Sequence, residues 1–297
     1  MSTPAAMLDG RDVATIDARR AAGLKPWERA ALGLLLVEMV ILFAPTVGWL
    51  FDRWTISVWH HAHGLLIPPA VAYFAYGELK PLRHLPRSSS VWGFVWLVPA
   101  LALHALDAGM HTQLLGAAAL FLAIPGLSLL ALGAVRTRAI MFPLAFLFFA
   151  LPIPLALTEQ VHWQLRQVAT AATATVMPWL GVPVFVEGTT LHMANGAVQV
   201  ADACSGFSTL YAALAVACLT AYSATSGRRR ALVLIAAAPI AIAANVLRVV
   251  LLVFLVASQG AAILETAIHP MSGMMTFALA LPVIFWLGGD ARKTARA

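Results

Sequence analysis

The sequence predicts an all-α integral membrane fold of about eight transmembrane helices, with a small subdomain on the outer face. Three observations lead there. Of the 297 residues, 61% are hydrophobic and only 11% charged, against about half and a quarter in soluble domains. Apolar stretches of spanning length, about 17–25 residues, recur along the chain. Nearly all of the 19 Lys and Arg residues fall in the two tails and in alternate short turns, the distribution that the positive-inside rule gives cytoplasmic segments. The net charge of +6 is therefore read as an orientation signal, and no nucleic-acid partner is expected.

Residues 1–27 are polar and carry Arg11, Arg19, Arg20 and Lys25. They lack the early apolar core and small-residue cleavage site of a secretory signal, so a retained cytoplasmic tail is expected. Residues 28–288 form the multispanning domain, with spans expected near 28–50, 64–80, 91–108, 112–134, 139–157, 204–224, 231–257 and 269–288. The second is the shortest and contains Pro68 and Pro69; Pro152 and Pro154 are expected to end the fifth. Basic turns follow the second span (Lys80, Arg83, Arg87), the fourth (Arg136, Arg138) and the sixth (Arg228, Arg229, Arg230). The tail 289–297 adds Arg292, Lys293 and Arg296. Both termini and these turns are thus assigned to the cytoplasm, and eight spans satisfy that parity. The chain ends soon after the last span, so no C-terminal soluble domain is expected. No internal repeat is visible.

Residues 158–203 make up the one long non-spanning region, placed outside. Glu159 to about Val176 alternates polar and apolar residues at helical spacing, which predicts an amphipathic helix on the outer membrane surface. Val182 to Val200 reads as short strands with turns at Glu187-Gly188 and Asn195-Gly196, the second a hairpin signal.

Of the basic residues only Arg53, Arg166 and Arg248 lie away from the cytoplasmic segments. Arg248 falls inside the seventh span, roughly 13 Å from its outer end at helical rise. A guanidinium within a span costs at least a few kcal/mol, so such residues face a polar interior and commonly mark function; the alternative is an arginine that caps loop carbonyls. Cys204 lies at the outer end of the sixth span and His269 at the outer end of the eighth. A lone cysteine is usually a small hydrophobe, and a lone interfacial histidine usually caps a helix. A thiol, a guanidinium and an imidazole converging on one membrane surface are the parts of a site that cleaves an amide through a thioester. Cys218 is about 21 Å from Cys204 if they share a helix, so Cys204 is a free thiol.

In such a site His269 takes the thiol proton, Cys204 attacks a carbonyl, and Arg248 stabilises the oxyanion or holds the substrate. Water then gives a peptidase, and an amine or hydroxyl a transpeptidase. Ser205 and Gly206 keep the approach to Cys204 small, and Asn245 shares a helical face with Arg248. Asp202 is a candidate to orient His269 or bind a basic substrate group; otherwise Asp202 and Glu187 are solvated acids. His60, His61 and His63 cluster before the second span; no carboxylate or thiol motif completes a metal site, so they are read as interface histidines or, His63 among them, as residues that line a substrate groove. Neither a metal nor a cofactor is required.

Ordered along the chain stand His63-Gly64-Leu65-Leu66-Ile67-Pro68, Leu151-Pro152-Ile153-Pro154, Gly181-Val182-Pro183-Val184, Ala203-Cys204-Ser205-Gly206, Asn245-x-x-Arg248, and His269 with Gly273. In these the chain resembles the exosortase/archaeosortase family of multispanning membrane enzymes, over about residues 55–280. The resemblance implies Cys204 as nucleophile, Arg248 as transition-state or substrate stabiliser and His269 as general acid/base. It also implies a partner, the C-terminal sorting signal of an exported protein: a motif such as Pro-Glu-Pro, a transmembrane helix and a basic cluster. The acceptor nucleophile stays open, and a bacterial inner membrane or an archaeal plasma membrane is the expected location. Phe207 stands where the family pattern has an aliphatic residue. Two other readings are a transporter binding an anion through Arg248 and the outer histidines, and a non-enzymatic factor for exopolysaccharide or lipid-linked glycan export. A transporter more often shows repeat symmetry, and an assembly factor would tolerate Cys204→Ser.

Overall fold

The computed structural model describes residues 26–56, 63–85, 88–266 and 268–288, with the side chains of Ile56, Leu155, Ala203 and residues 268–270 excepted. His60, His61, residues 1–25 of the N-terminal tail and the tail 289–297 lie outside the described residues. Described residues up to Pro152 belong to one compact unit, and those from Ile153 onward to a second.

The first unit opens with α1 (Pro26–Ile56). Proline suits the first turn of a helix, and Glu28 near the start and Arg53 near the end complement its dipole. α2 (His63–Leu79) follows, with Pro68 and Pro69 inside it. α3 (Gly93–Met110) and α4 (Leu114–Ala139) then pack as a tight pair. A Cβ on Gly93 would fall 2.5 Å from the Gly126 carbonyl oxygen, and one on Gly126 would fall 2.8 Å from that of Gly93. Small residues let the two backbones approach, as is common between helices in lipid. The turn between them is held by Thr112, whose hydroxyl donates to Asp107 Oδ1 at 2.6 Å. Met39 and Phe43 of α1 join Leu97, Ala100, Ala119 and Ala123 in the core of this unit.

Where one span was expected over 139–157, the chain instead breaks. α5 (Met141–Phe146) passes into a 3-10 turn, Leu147–Ala150, and Leu151 is extended. The cause is local: Pro152 and Pro154 lack amide hydrogens and push the residues before them out of the helical region. Trp54 Nε1 donates to the Ala150 carbonyl at 2.9 Å and anchors that break.

The second unit begins with α6 (Leu155–Val176), which starts earlier than the expected amphipathic helix and ends with it. Next comes an antiparallel meander of β1 (Phe185–Glu187), β2 (Thr190–Met193) and β3 (Gly196–Gln199), one strand more than a hairpin. Val186 pairs with Leu191, and Leu191 with Val198. Leu191 and Val198 point into a core with Met177, Val200, Val249, Val253 and Val256. Truncating the fully buried Leu191 to alanine would cost about 2–5 kcal/mol. After the sheet, a 3-10 turn, Asp202–Cys204, leads into α7 (Phe207–Ser223), then α8 (Gly227–Gln259), a 3-10 segment Ala261–Glu265 and α9 (Ile268–Gly288). Asn195 Nδ2 donates to the Ala257 carbonyl at 2.6 Å and ties the β2–β3 turn to the end of α8. Ala213 and Ala217 of α7, Ala237 and Ala241 of α8 and Ile284 of α9 form a second core patch.

The chain is a multi-pass membrane protein. Among the described residues, α1, α3, α4, α8 and α9 are long and apolar enough to cross a membrane, and Met141–Ala150 and α7 are shorter apolar segments.

Candidate active site

Cys204 does not sit within the apolar helix expected over 204–224 but on the turn before it. That turn is built by its own backbone: Cys204 N–H donates to the Ala201 carbonyl at 2.9 Å, and Ser205 N–H to that of Asp202 at 3.2 Å. Gly206 then adopts φ 86°, ψ 5° and caps α7. Any side chain there would be strained by the positive φ, and its Cβ would overlap the Asn245 amide. The reason Asn245 comes so close is visible on its other side. Its Nδ2 donates to the carbonyls of Cys204 at 3.2 Å and Ser205 at 3.1 Å. Glycine at 206 and asparagine at 245 are therefore one device, which fixes the turn that carries Cys204 against α8.

One turn of α8 beyond Asn245 lies Arg248, also buried. Its Nη2 is 3.9 Å from Cys204 Sγ, and its Nε donates to Ser272 Oγ of α9 at 2.9 Å. Ser272 thereby fixes the plane of the guanidinium beside the sulfur. Gly273 follows, where a Cβ would lie 3.9 Å from Arg248 Cζ and Nη2, an ordinary contact. On the turn ahead of α7, burial pushes the Cys204 thiol up from its ordinary value, and the charge of Arg248 pulls it partly back. The N–H groups of Cys204 and Ser205 are committed to the turn, and the Arg248 side chain is a donor placed beside this thiol.

His269 occupies the first turn of α9, three residues before Ser272, and its side chain lies outside the described residues. Asp202 is half exposed, and its carboxylate pairs with Arg166 of α6. His63 opens α2 in the first unit. Glu187 pairs across the sheet with His192 at 3.4 Å, both exposed. Among the described residues no group of three His, Cys, Asp or Glu side chains could hold a metal ion.

Sequence reasoning missed two buried partners. Ser272 was within reach of it, since Ser272 and Gly273 follow His269 at helical spacing. His162 was not: it lies 42 residues before Cys204 inside a helix read as interfacial, and its ring nitrogen Nδ1 is 2.8 Å from Ser205 Oγ.

The family model described as transmembrane exosortase matches residues 54–286. No curated protein and no solved structure matches the chain.

Proposed function

As the chain belongs to the transmembrane exosortase family, we propose that it is a membrane cysteine transpeptidase or protease that cleaves C-terminal sorting signals of the Pro-Glu-Pro type from exported proteins. The observation that carries this reading is the contact of a buried guanidinium with the thiol on a pinned turn, Arg248 Nη2 to Cys204 Sγ at 3.9 Å. A thiolate beside a fixed cation is a competent nucleophile. The same cation, held in plane by Ser272, is suited to the negative charge that forms when the sulfur adds to a carbonyl.

In the proposed cycle Cys204 Sγ loses its proton to His269 and adds to the scissile carbonyl. Arg248 stabilises the tetrahedral oxyanion. The C–N bond then breaks, and His269 returns the proton to the leaving amine. A thioester remains on Cys204, and water or an acceptor amine or hydroxyl resolves it. The positive-inside pattern supports both termini in the cytoplasm and this site toward the outer side of the cell membrane, where a signal helix lying beside the spans would present the motif at its outer end.

The test is processing in cells. A tagged protein bearing a Pro-Glu-Pro signal is co-expressed with the wild type or with Cys204→Ala. Cleavage is expected with the wild type and lost with the variant, a drop on the order of 10⁶-fold in the chemical step, at equal membrane levels of the two proteins. Mass spectrometry of the new terminus then separates hydrolysis from transfer. Equal cleavage with and without Cys204 would sink the nucleophile assignment.

A further inference from the structure

Ser205 follows the thiol directly, and its hydroxyl has a full complement of partners. Oγ donates to the Asp202 carbonyl at 2.7 Å, and it accepts from Phe207 N–H at 3.3 Å. The remaining neighbour is His162 Nδ1 at 2.8 Å. A hydroxyl has one hydrogen and two lone pairs. The hydrogen must go to the Asp202 oxygen, because a carbonyl cannot donate. His162 must then donate, which fixes its proton on Nδ1. So occupied, Ser205 has no hydrogen left to offer the thiol or a substrate, and its part is to shape the turn.

His162 is itself held in place. The residue is buried, and its ring lies tilted against that of Phe207, the first residue of α7, with centroids 4.5 Å apart and planes 31° apart. One turn further along α6, Arg166 pairs with Asp202. Residues at i and i+4 share a helix face, so this face of α6 grips the nucleophile turn on both sides of Cys204, at Asp202 and at Ser205. From α8, Asn245 grips the carbonyls of Cys204 and Ser205. The two grips differ in strength. Arg166 and Asp202 have side chains 19% and 48% exposed, and such a pair adds little, whereas the His162–Ser205 bond is buried.

We propose that His162, donating from Nδ1 to Ser205 Oγ, is a positioning residue that holds the Cys204 thiol against Arg248. This rests on the reading of Cys204 as the nucleophile. It assigns to α6 a task beyond lying at a membrane surface: α6 sets the register of the reactive turn. A displacement of about 1 Å at a reacting atom can cost about 100-fold in rate, so the bond matters through the thiol and not through any contact of its own with substrate.

The experiment needs no sorting signal, so its failure is distinct from failure of the processing test. The full chain, in lipid nanodiscs and with Cys218→Ala as background, is treated with iodoacetamide across pH. The rate of Cys204 modification is read by mass spectrometry. In His162→Phe, which keeps a ring but removes the donor, and in Ser205→Ala, the thiol leaves Arg248. The midpoint of the profile should rise by about one unit, or about tenfold less thiolate at neutral pH. His162→Asn places an amide N–H at the same bond distance from Cα as Nδ1, and should restore the wild-type midpoint. A purely structural role would lower the amount of protein in the membrane and leave the midpoint unmoved. If His162→Phe does not accumulate, Ser205→Ala alone decides. A wild-type midpoint in Ser205→Ala overturns the proposal, and so does a His162→Asn profile as displaced as that of His162→Phe.

Discussion

Two buried arginines, one in each unit, show how the same side chain serves two ends. Arg136, near the end of α4, sends Nη2 to the carbonyls of Leu82 at 3.2 Å and Leu85 at 2.6 Å. These are neutral main-chain acceptors, and the guanidinium closes off a turn that follows a helix end. Arg248 instead meets a serine hydroxyl and a thiol, both side chains. One acceptor orients the cation and the other is the group whose ionisation it favours. A buried arginine is thus not informative by its burial alone; what its donors reach separates a brace on main-chain carbonyls from a cation set beside a thiol.

That comparison breaks most sharply if the two arginines are replaced alike. Arg248→Met should lower processing by about 100- to 1,000-fold, the usual cost of removing an oxyanion donor, with the protein still present in the membrane. Arg136→Met should do the reverse. It leaves the Leu82 and Leu85 carbonyls without their donor, lowers stability by about 1–3 kcal/mol, and leaves the rate per folded molecule unchanged. Processing per unit of membrane-inserted protein, together with thermal unfolding in detergent, reads both. Equal loss of rate in the two variants would remove the distinction.

Gly206→Ala sharpens the same contrast from the backbone side. The positive φ and the overlap with Asn245 should together cost about 1–3 kcal/mol or more, seen as a lower unfolding midpoint, and displace the thiol as well. Ser272→Ala is a smaller change. It removes the buried bond that sets the plane of the Arg248 guanidinium, worth about 1.5 kcal/mol of stability for a charged donor, so a lower unfolding midpoint is expected together with a loss of rate smaller than that of Arg248→Met. Asp202→Asn is the smallest. Its pair with Arg166 is partly exposed, and a change within about 1 kcal/mol is expected, with at most a slight loss of activity; a large loss would mean that the carboxylate itself takes part in the reaction.

Much of the membrane fold was legible in the sequence because hydropathy and charge act over whole segments. Each long apolar helix must satisfy its own backbone in lipid, and no remote residue is needed for that. The break at Leu151–Pro154 carried its own signal in its prolines, yet the segment before it was read as a full span, since apolar composition does not reveal where a helix stops. The strands at 185–199 were marked by Glu187-Gly188 and Asn195-Gly196, although their number was not. At the site, Cys204, Asn245 and Arg248 stood out because a thiol beside glycine and a cation among alanines and valines are locally anomalous.

What the sequence by itself determined is therefore the class of the molecule and the positions of most helices, and it singled out Cys204 and Arg248 as candidates for a site. Only the tertiary structure decided that the sulfur and the guanidinium meet, that Gly206 exists to admit Asn245, that Asp202 belongs to Arg166 and that His162 bonds Ser205. The physical reason is one of range. Hydropathy and backbone propensity are summed over neighbours in the chain, whereas a hydrogen bond between residues 43 positions apart depends on where two helices come to rest, which no local pattern records.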